Sequence, residues 1–153
     1  MTTLPFSQDV FVDTNILYYA DTPTDPLGAQ AILRLEELND RQNRLLISPQ
    51  VLREYANVCF RNALYHRMDM AAVIEAVAHN LACFQRDFTV LYENETSVRL
   101  WRESLPLLSS SKDVFDFDLA ATMQANGVSY VLTHNTSDFA PFAEWLTCIP
   151  LLG

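Results

Sequence analysis

Residues 10–20 read VFVDTNILYYA, and the fold turns on how that stretch is parsed. Val10, Phe11 and Val12 form a short apolar run with no polar alternation, which reads as a strand buried on both faces, the habit of a parallel sheet. Asp13 closes the run and Thr14, Asn15 and Ile16 begin a helical pattern, so Asp13 falls at the carboxyl end of the first strand. An aspartate there suits a helix N-cap as well as it suits a functional acid. Acids elsewhere in the chain have to decide between the two.

Working outward, similar β-rich runs recur at residues 45–48, 89–92, 129–133 and, more weakly, 147–149, with longer amphipathic segments between them. Asp25 before Pro26 and Ser48 before Pro49 each pair an N-cap with a first-turn proline. The first opens a helix with Ala29, Ile32, Leu33 and Leu38 predicted on its buried side, and the second opens the helix that carries Glu54. Asp69, Asn94 and Ser111 are the predicted starts of three more helices, the last stopping at Asn126 and Gly127. With a further helix between the fourth and fifth strands the order is βααβααβααβαβ. That pattern is α/β in class, a central parallel sheet of four to five strands covered by helices. Such sheets bind ligands beyond the carboxyl ends of their strands, where the strand order reverses.

At 153 residues and 17.4 kDa the chain reads as one domain over residues 1–153. Ten Lys and Arg against nineteen Asp and Glu give a net charge of -9, which opposes a broad electrostatic grip on nucleic acid or anionic lipid and favours a basic partner. With three glycines, all far apart, there is no P-loop and no dinucleotide-binding turn. Cys59, Cys83 and Cys148 are odd in number and widely spaced, as reduced core thiols would be. His66, His79 and His134 form no zinc-protease motif, and no serine stands in a nucleophile elbow. The opening MTTLPFSQD has no basic stretch followed by an apolar block, and no apolar run reaches the ~18 residues of a membrane span. The expected location is the cytoplasm, with no membrane partner. Whatever chemistry the chain performs is expected to use carboxylates.

Glu54 lies three residues after Val51 and four before Val58, beside the predicted buried stripe of Val51, Tyr55 and Val58. A glutamate there loses hydration unless it has a partner, either an arginine or a bound cation. Arg53, Asn57 and Arg61 take the opposite, wet face. On the sixth helix Phe115, Leu119 and Met123 are predicted to point to the core, with Asp116 at their margin. Asp113 and Asp118 are expected to be solvated acids near the helix start. Beyond the fourth strand the polar loop His134-Asn135-Thr136-Ser137-Asp138 is either a simple turn or part of a site. Asp13, Glu54, Asp116 and Asp138 thus occupy matching places along the chain. Such clustered like charges destabilise a fold unless a cation neutralises them, and ligation by oxygen alone suits Mg²⁺ or Mn²⁺.

These residues resemble the PIN-domain ribonucleases, and among them the VapC-like toxins of bacterial toxin-antitoxin pairs. The resemblance rests on VFVDTNILYYA at 10–20, SPQVLREYANV at 48–58 and VFDFDLAATMQANGVSYVLTHNTSDF at 114–139, and spans essentially the whole chain. It implies a three-layer α/β/α domain that cleaves RNA with one or two Mg²⁺ or Mn²⁺ ions held by acidic side chains. Carried over by position, Asp13, Glu54 and Asp116 are the expected metal-binding acids, and either Asp138 or Asn135 is the fourth group. Thr14, Asn15 and Thr133 are expected to orient carboxylates or water. His134 stands where relatives often carry Arg, and Arg53, Arg61 and His134 are the candidate RNA contacts, with Arg67 extending a small positive edge.

The resemblance further implies a VapB-like antitoxin, laid into an apolar groove near Tyr18, Tyr19 and Leu33 with a basic side chain pushed toward the acids, and a homodimer. Two other readings compete. One is a non-catalytic PIN-like module that binds RNA or protein; the other is an aspartate-nucleophile phosphatase, which wants a second Asp where this chain has Asn15.

Overall fold

The structure, a computed structural model, describes residues 3–22 and 24–153. Its strands are β1 (Asp9–Val12), β2 (Arg44–Ile47), β3 (Thr89–Val90), β4 (Tyr130–Thr133) and β5 (Thr147–Pro150). They form one all-parallel sheet in the order β3-β2-β1-β4-β5. Val10, Phe11, Val12, Leu46, Ile47, Val131 and Leu132 have no exposed surface, as strands covered on both faces should. The third strand is shorter than the apolar run 89–92, and Leu91 adds one more bond, its N–H donating to Ile47 O at 2.8 Å.

The helices are α1 (Thr14–Ala20), α2 (Pro26–Asp40), α3 (Pro49–Tyr65), α4 (Met70–Asp87), α5 (Glu95–Ser104) and α6 (Asp113–Ala125). Asp25, Ser48, Asp69 and Asn94 all cap as the sequence predicts, each side chain accepting a backbone N–H of the first turn. Gly127 at φ 69° turns the chain out of α6 in the left-handed region that glycine tolerates. From β1 the chain steps outward to β2 and β3, then returns past β1 to β4. Right-handed crossovers therefore put α1 to α4 on one face and α5 and α6 on the other, giving three layers. The point where the order reverses lies between β1 and β4.

Four local expectations are corrected. The segment between β4 and β5 is a 3-10 helix over Thr136–Phe142, with Pro141 inside it, and not an α-helix. Ser111 does not cap α6. The helix starts at Asp113, whose carboxylate is turned back onto the N–H groups of Ser109 and Ser110 at 2.8 and 3.1 Å. On α2 the buried positions are Gly28, Ala31 and Leu38, while Ala29 is exposed and Leu33 keeps 47% of its surface open. Gly28 sets that rotation, since a Cβ on it would lie 2.0 Å from the Thr22 carbonyl oxygen and 2.6 Å from that of Tyr19, so α2 packs backbone-close on the end of α1. Phe115 is 61% exposed rather than core, since α6 buries Phe117 and everything from Leu119 to Met123.

Polar contacts fix the helices that carry the acids. The Tyr55 hydroxyl of α3 donates to the Asp21 carboxylate that ends α1 (2.7 Å), and Asn80 of α4 donates to that hydroxyl (2.9 Å). Cys59, Cys83 and Cys148 are free thiols, half-buried rather than core. No helix among the described residues is long and apolar enough to cross a membrane.

Candidate active site

The switch point between β1 and β4 is where the sequence-predicted acids gather. Asp13 leaves β1 with its N–H donating to Leu132 O at 3.0 Å, so it stays in register beside the last residue of β4, Thr133. Its carboxylate is buried, with 8% of the residue exposed. One oxygen, Oδ1, accepts the Thr14 N–H at 2.8 Å and so caps α1. The other, Oδ2, accepts the Thr133 hydroxyl at 2.8 Å and the Asn15 amide at 3.3 Å. Asp13 is therefore both an N-cap and a member of the acid group. Burial pushes it up to about 6 against the pull of those donors, and the charges of Glu54 and Asp138 add to the rise.

Asn15 also accepts the His134 N–H at 3.2 Å, and Asn135 N–H donates to the Thr133 hydroxyl at 3.0 Å. The loop after β4 is thus pinned to the loop after β1. The side chain of Asn135 makes no cap bond, and that of Asp138 is bound by Lys112, so neither is consumed by a turn of its own backbone.

Glu54 reaches the same place from α3. Thr14 Oγ1 donates to its Oε2 at 2.9 Å, and Gln50, one turn earlier, donates through Nε2 to Oε1 and to the Phe115 carbonyl oxygen at 3.0 Å. Among the described residues no arginine or lysine pairs with it. Asp116 comes from the first turn of α6, on the opposite layer. Its Oδ2 is buried and has no hydrogen-bond partner, a costly state for a carboxylate oxygen. Burial first, and the charge of Asp138 second, push Asp116 up to about 7.

Asp13, Glu54, Asp116 and Asp138, with Thr14, Asn15 and Asn135, line one cleft of about 410 Å³. A second cavity of about 510 Å³ adjoins it, sharing Glu54, Asn57, Lys112 and Asp116 and adding Gln50, Arg53, Phe115 and Asp118. Asp118 is not the solvated acid expected from sequence. It is half-buried, and burial together with the neighbouring Glu93 carboxyl pushes it up to about 7. Of the candidate RNA contacts, Arg53 lines this second cavity. Arg61 is exposed and lines neither, and His134 sets its ring edge-on against Tyr19 with centroids 5.6 Å apart.

Two participants were missed in the sequence. Gln50 precedes Glu54 by four residues and Lys112 precedes Asp116 by four, the spacing that puts side chains on one helical face. That spacing is the signal that would have found them. Lys112 Nζ holds both oxygens of Asp138 at 3.1 and 3.0 Å.

Among the described residues no three His, Cys, Asp or Glu side chains stand close enough together to grip one ion. The acids share a cleft, with Asp13, Glu54 and Asp138 each resting on its own donors and Asp116 Oδ2 on none. In chemistry the set fits a hard divalent cation, being all oxygen, negatively charged and furnished with one buried oxygen that lacks a partner.

In architecture the chain is a PIN-like α/β/α domain, with its acids at the switch point of the sheet. Three solved structures with that fold match it over nearly their whole length. VapBC2 of Rickettsia felis, bound to a DNA fragment from its promoter, gives a TM-score of 0.65 at 16% identity, covering 94% of this chain and 98% of that one. VapBC-1 of nontypeable Haemophilus influenzae gives 0.64 at 18% identity, with 95% and 100% covered. VapC20 of Mycobacterium tuberculosis, a toxin that cleaves the sarcin-ricin loop, gives 0.62 at 15% identity, with 90% and 96% covered. At these identities the likeness is one of fold. No family model and no curated protein matches the sequence.

Proposed function

We propose that the chain is a divalent-metal-dependent endoribonuclease, the toxin of a toxin-antitoxin pair. The observation that carries the reading is the buried, unpartnered Asp116 Oδ2 in a cleft that Asp13, Glu54 and Asp138 also line. Four acids contributed by four separate stretches of chain to one hollow weaken the fold unless something cationic is bound there. The likeness in fold to VapC-type chains supports the same reading.

Asp13, Glu54 and Asp116 would hold Mg²⁺ or Mn²⁺. When bound, the ion supplies charge that lowers the pKa of a water and offsets the charge building up on the phosphate. Thr133, Thr14 and Asn15 hold the Asp13 carboxylate in place, and Thr14 does the same for Glu54. In the hydrolysis the water oxygen bonds to phosphorus as one phosphoester P–O bond breaks. The water's proton passes to a carboxylate of the cleft, Glu54 or Asp116. The leaving oxygen gains a proton from solvent. Arg53 and Asn57 in the adjoining cavity offer donors to the RNA strand beyond the scissile phosphate.

A VapB-like antitoxin would cover Tyr18 and Tyr19 on the rim of the cleft and send a basic side chain toward the acids, and the active species would be a homodimer. Incubating single-stranded RNA with the purified chain in Mg²⁺ or Mn²⁺ tests the nuclease reading. Cleavage is expected, is lost in EDTA and returns when Mn²⁺ is restored. Cleavage that continues unchanged in EDTA rules out the metal-dependent route, and no cleavage under any condition favours the binding-module reading.

A further inference from the structure

Lys112 is the only lysine of the chain, against nine arginines, and it stands at the acidic cleft. Its ammonium spans both oxygens of Asp138 at 3.0 and 3.1 Å, and the charges of Asp116 and Asp13 also act on it. The residue is not placed by chance of a loose loop. It precedes α6 directly, and the turn before it is tied down by the Asp113 carboxylate on the N–H groups of Ser109 and Ser110. Asp138 is the more enclosed partner, 19% exposed in its side chain against 64% for Lys112. An ammonium is a compact point charge, closer in shape to a metal ion than the planar guanidinium used everywhere else in this chain.

We propose that Lys112 is a built-in replacement for a second metal ion: it closes the Asp138 arm of the cleft, so that the site takes a single divalent ion among Asp13, Glu54 and Asp116. The proposal rests on the metal-nuclease reading and refines it. With both Asp138 oxygens taken by the ammonium, a second ion has to displace it, and Lys112 is covalently present while a dissolved ion must compete for the place.

Counting bound Mn²⁺ tests this, by calorimetric titration and by the electron-paramagnetic signal of the free ion. The proteins compared are the wild type, Lys112→Met and Lys112→Arg, each checked by circular dichroism. Lys112 is exposed and its side chain caps nothing, so both variants are expected to fold. The wild type and Lys112→Arg should bind one ion per chain, and Lys112→Met should bind two. Two ions in the wild type, or one in Lys112→Met, overturns the proposal while leaving the nuclease reading intact. No Mn²⁺ bound by any of the three removes the metal reading and this proposal with it.

Discussion

Asp116→Asn is expected to lower RNA cleavage by about 10²–10³-fold, the loss that follows removal of one preorganised charge-stabilising group, about 3–4 kcal/mol of barrier. The effect should be on chemistry and not on folding. Asp116 Oδ2 is buried without a partner, and Asp138, Asp13 and Glu54 all oppose its ionisation. Replacing it with a neutral amide of the same shape removes like-charge repulsion, so the melting temperature in chelator at pH 8 should stay level or rise. Initial cleavage rates and thermal melts on the same preparation separate the two effects. Wild-type cleavage by a folded Asp116→Asn protein excludes Asp116 from the reaction. A large fall in melting temperature would make it a structural residue instead.

In the absence of divalent metal, stability should fall as the pH rises from about 4 to about 7. Asp13 and Asp116 both have folded values raised above the ordinary 3.8, to about 6 and about 7. Between the two limits the folded chain keeps protons that the unfolded chain has released, so each rise in pH favours unfolding. The stabilisation is fully present below 3.8 and is lost as the pH passes through the folded values. A carboxyl moved from 3.8 to about 6 weighs about 3 kcal/mol, and Asp13 is buried enough for most of that to count. This is a large part of the roughly 5–15 kcal/mol of a whole domain. Asp9, Asp87 and Asp113 lie on the other side, held below the ordinary value by Arg44, by Arg86 and by the backbone of Ser109, and their share is lost only in stronger acid.

Mn²⁺ binds the ionised carboxylates, so it should raise the melting temperature far more at pH 8 than at pH 5. Melts in EDTA and in Mn²⁺ across that range check both statements. A stability that climbs steadily from pH 5 to pH 8 in EDTA, or a Mn²⁺ shift equal at both ends, contradicts them.

The places of the acids were legible in the sequence for a simple reason. Val10 to Val12 is apolar on both faces, so the next polar residue has to mark a strand end, and Val51 with Tyr55 fixes the face of α3 beside which Glu54 lies. Residues 89–92 looked like a fuller strand than β3 because apolar content does not say how far a neighbouring strand extends. The first turn of α6 was misread for a different reason. From Leu119 to Met123 the helix is enclosed on every side, so its apolar residues carry no direction, and Phe115 and Asp118 could not be assigned to outside or inside from spacing. With the helix begun at Ser111, nothing aimed Lys112 at a loop 26 residues further on. That contact depends on Asp113 folding back over Ser109 and Ser110 and on β4 delivering Asp138 to the switch point. The four-residue spacing sets Lys112 beside Asp116, but its meeting with Asp138 is a product of topology and leaves no local trace in sequence.

Anomalous diffraction from crystals soaked in Mn²⁺ tests most directly whether these acids share an ion. A peak bounded by carboxylate oxygens of Asp13, Glu54 and Asp116, each about 2.1 Å away, is the expected result. A fully soaked crystal with no peak in that cleft, or with manganese bound only elsewhere on the surface, contradicts a metal-dependent nuclease.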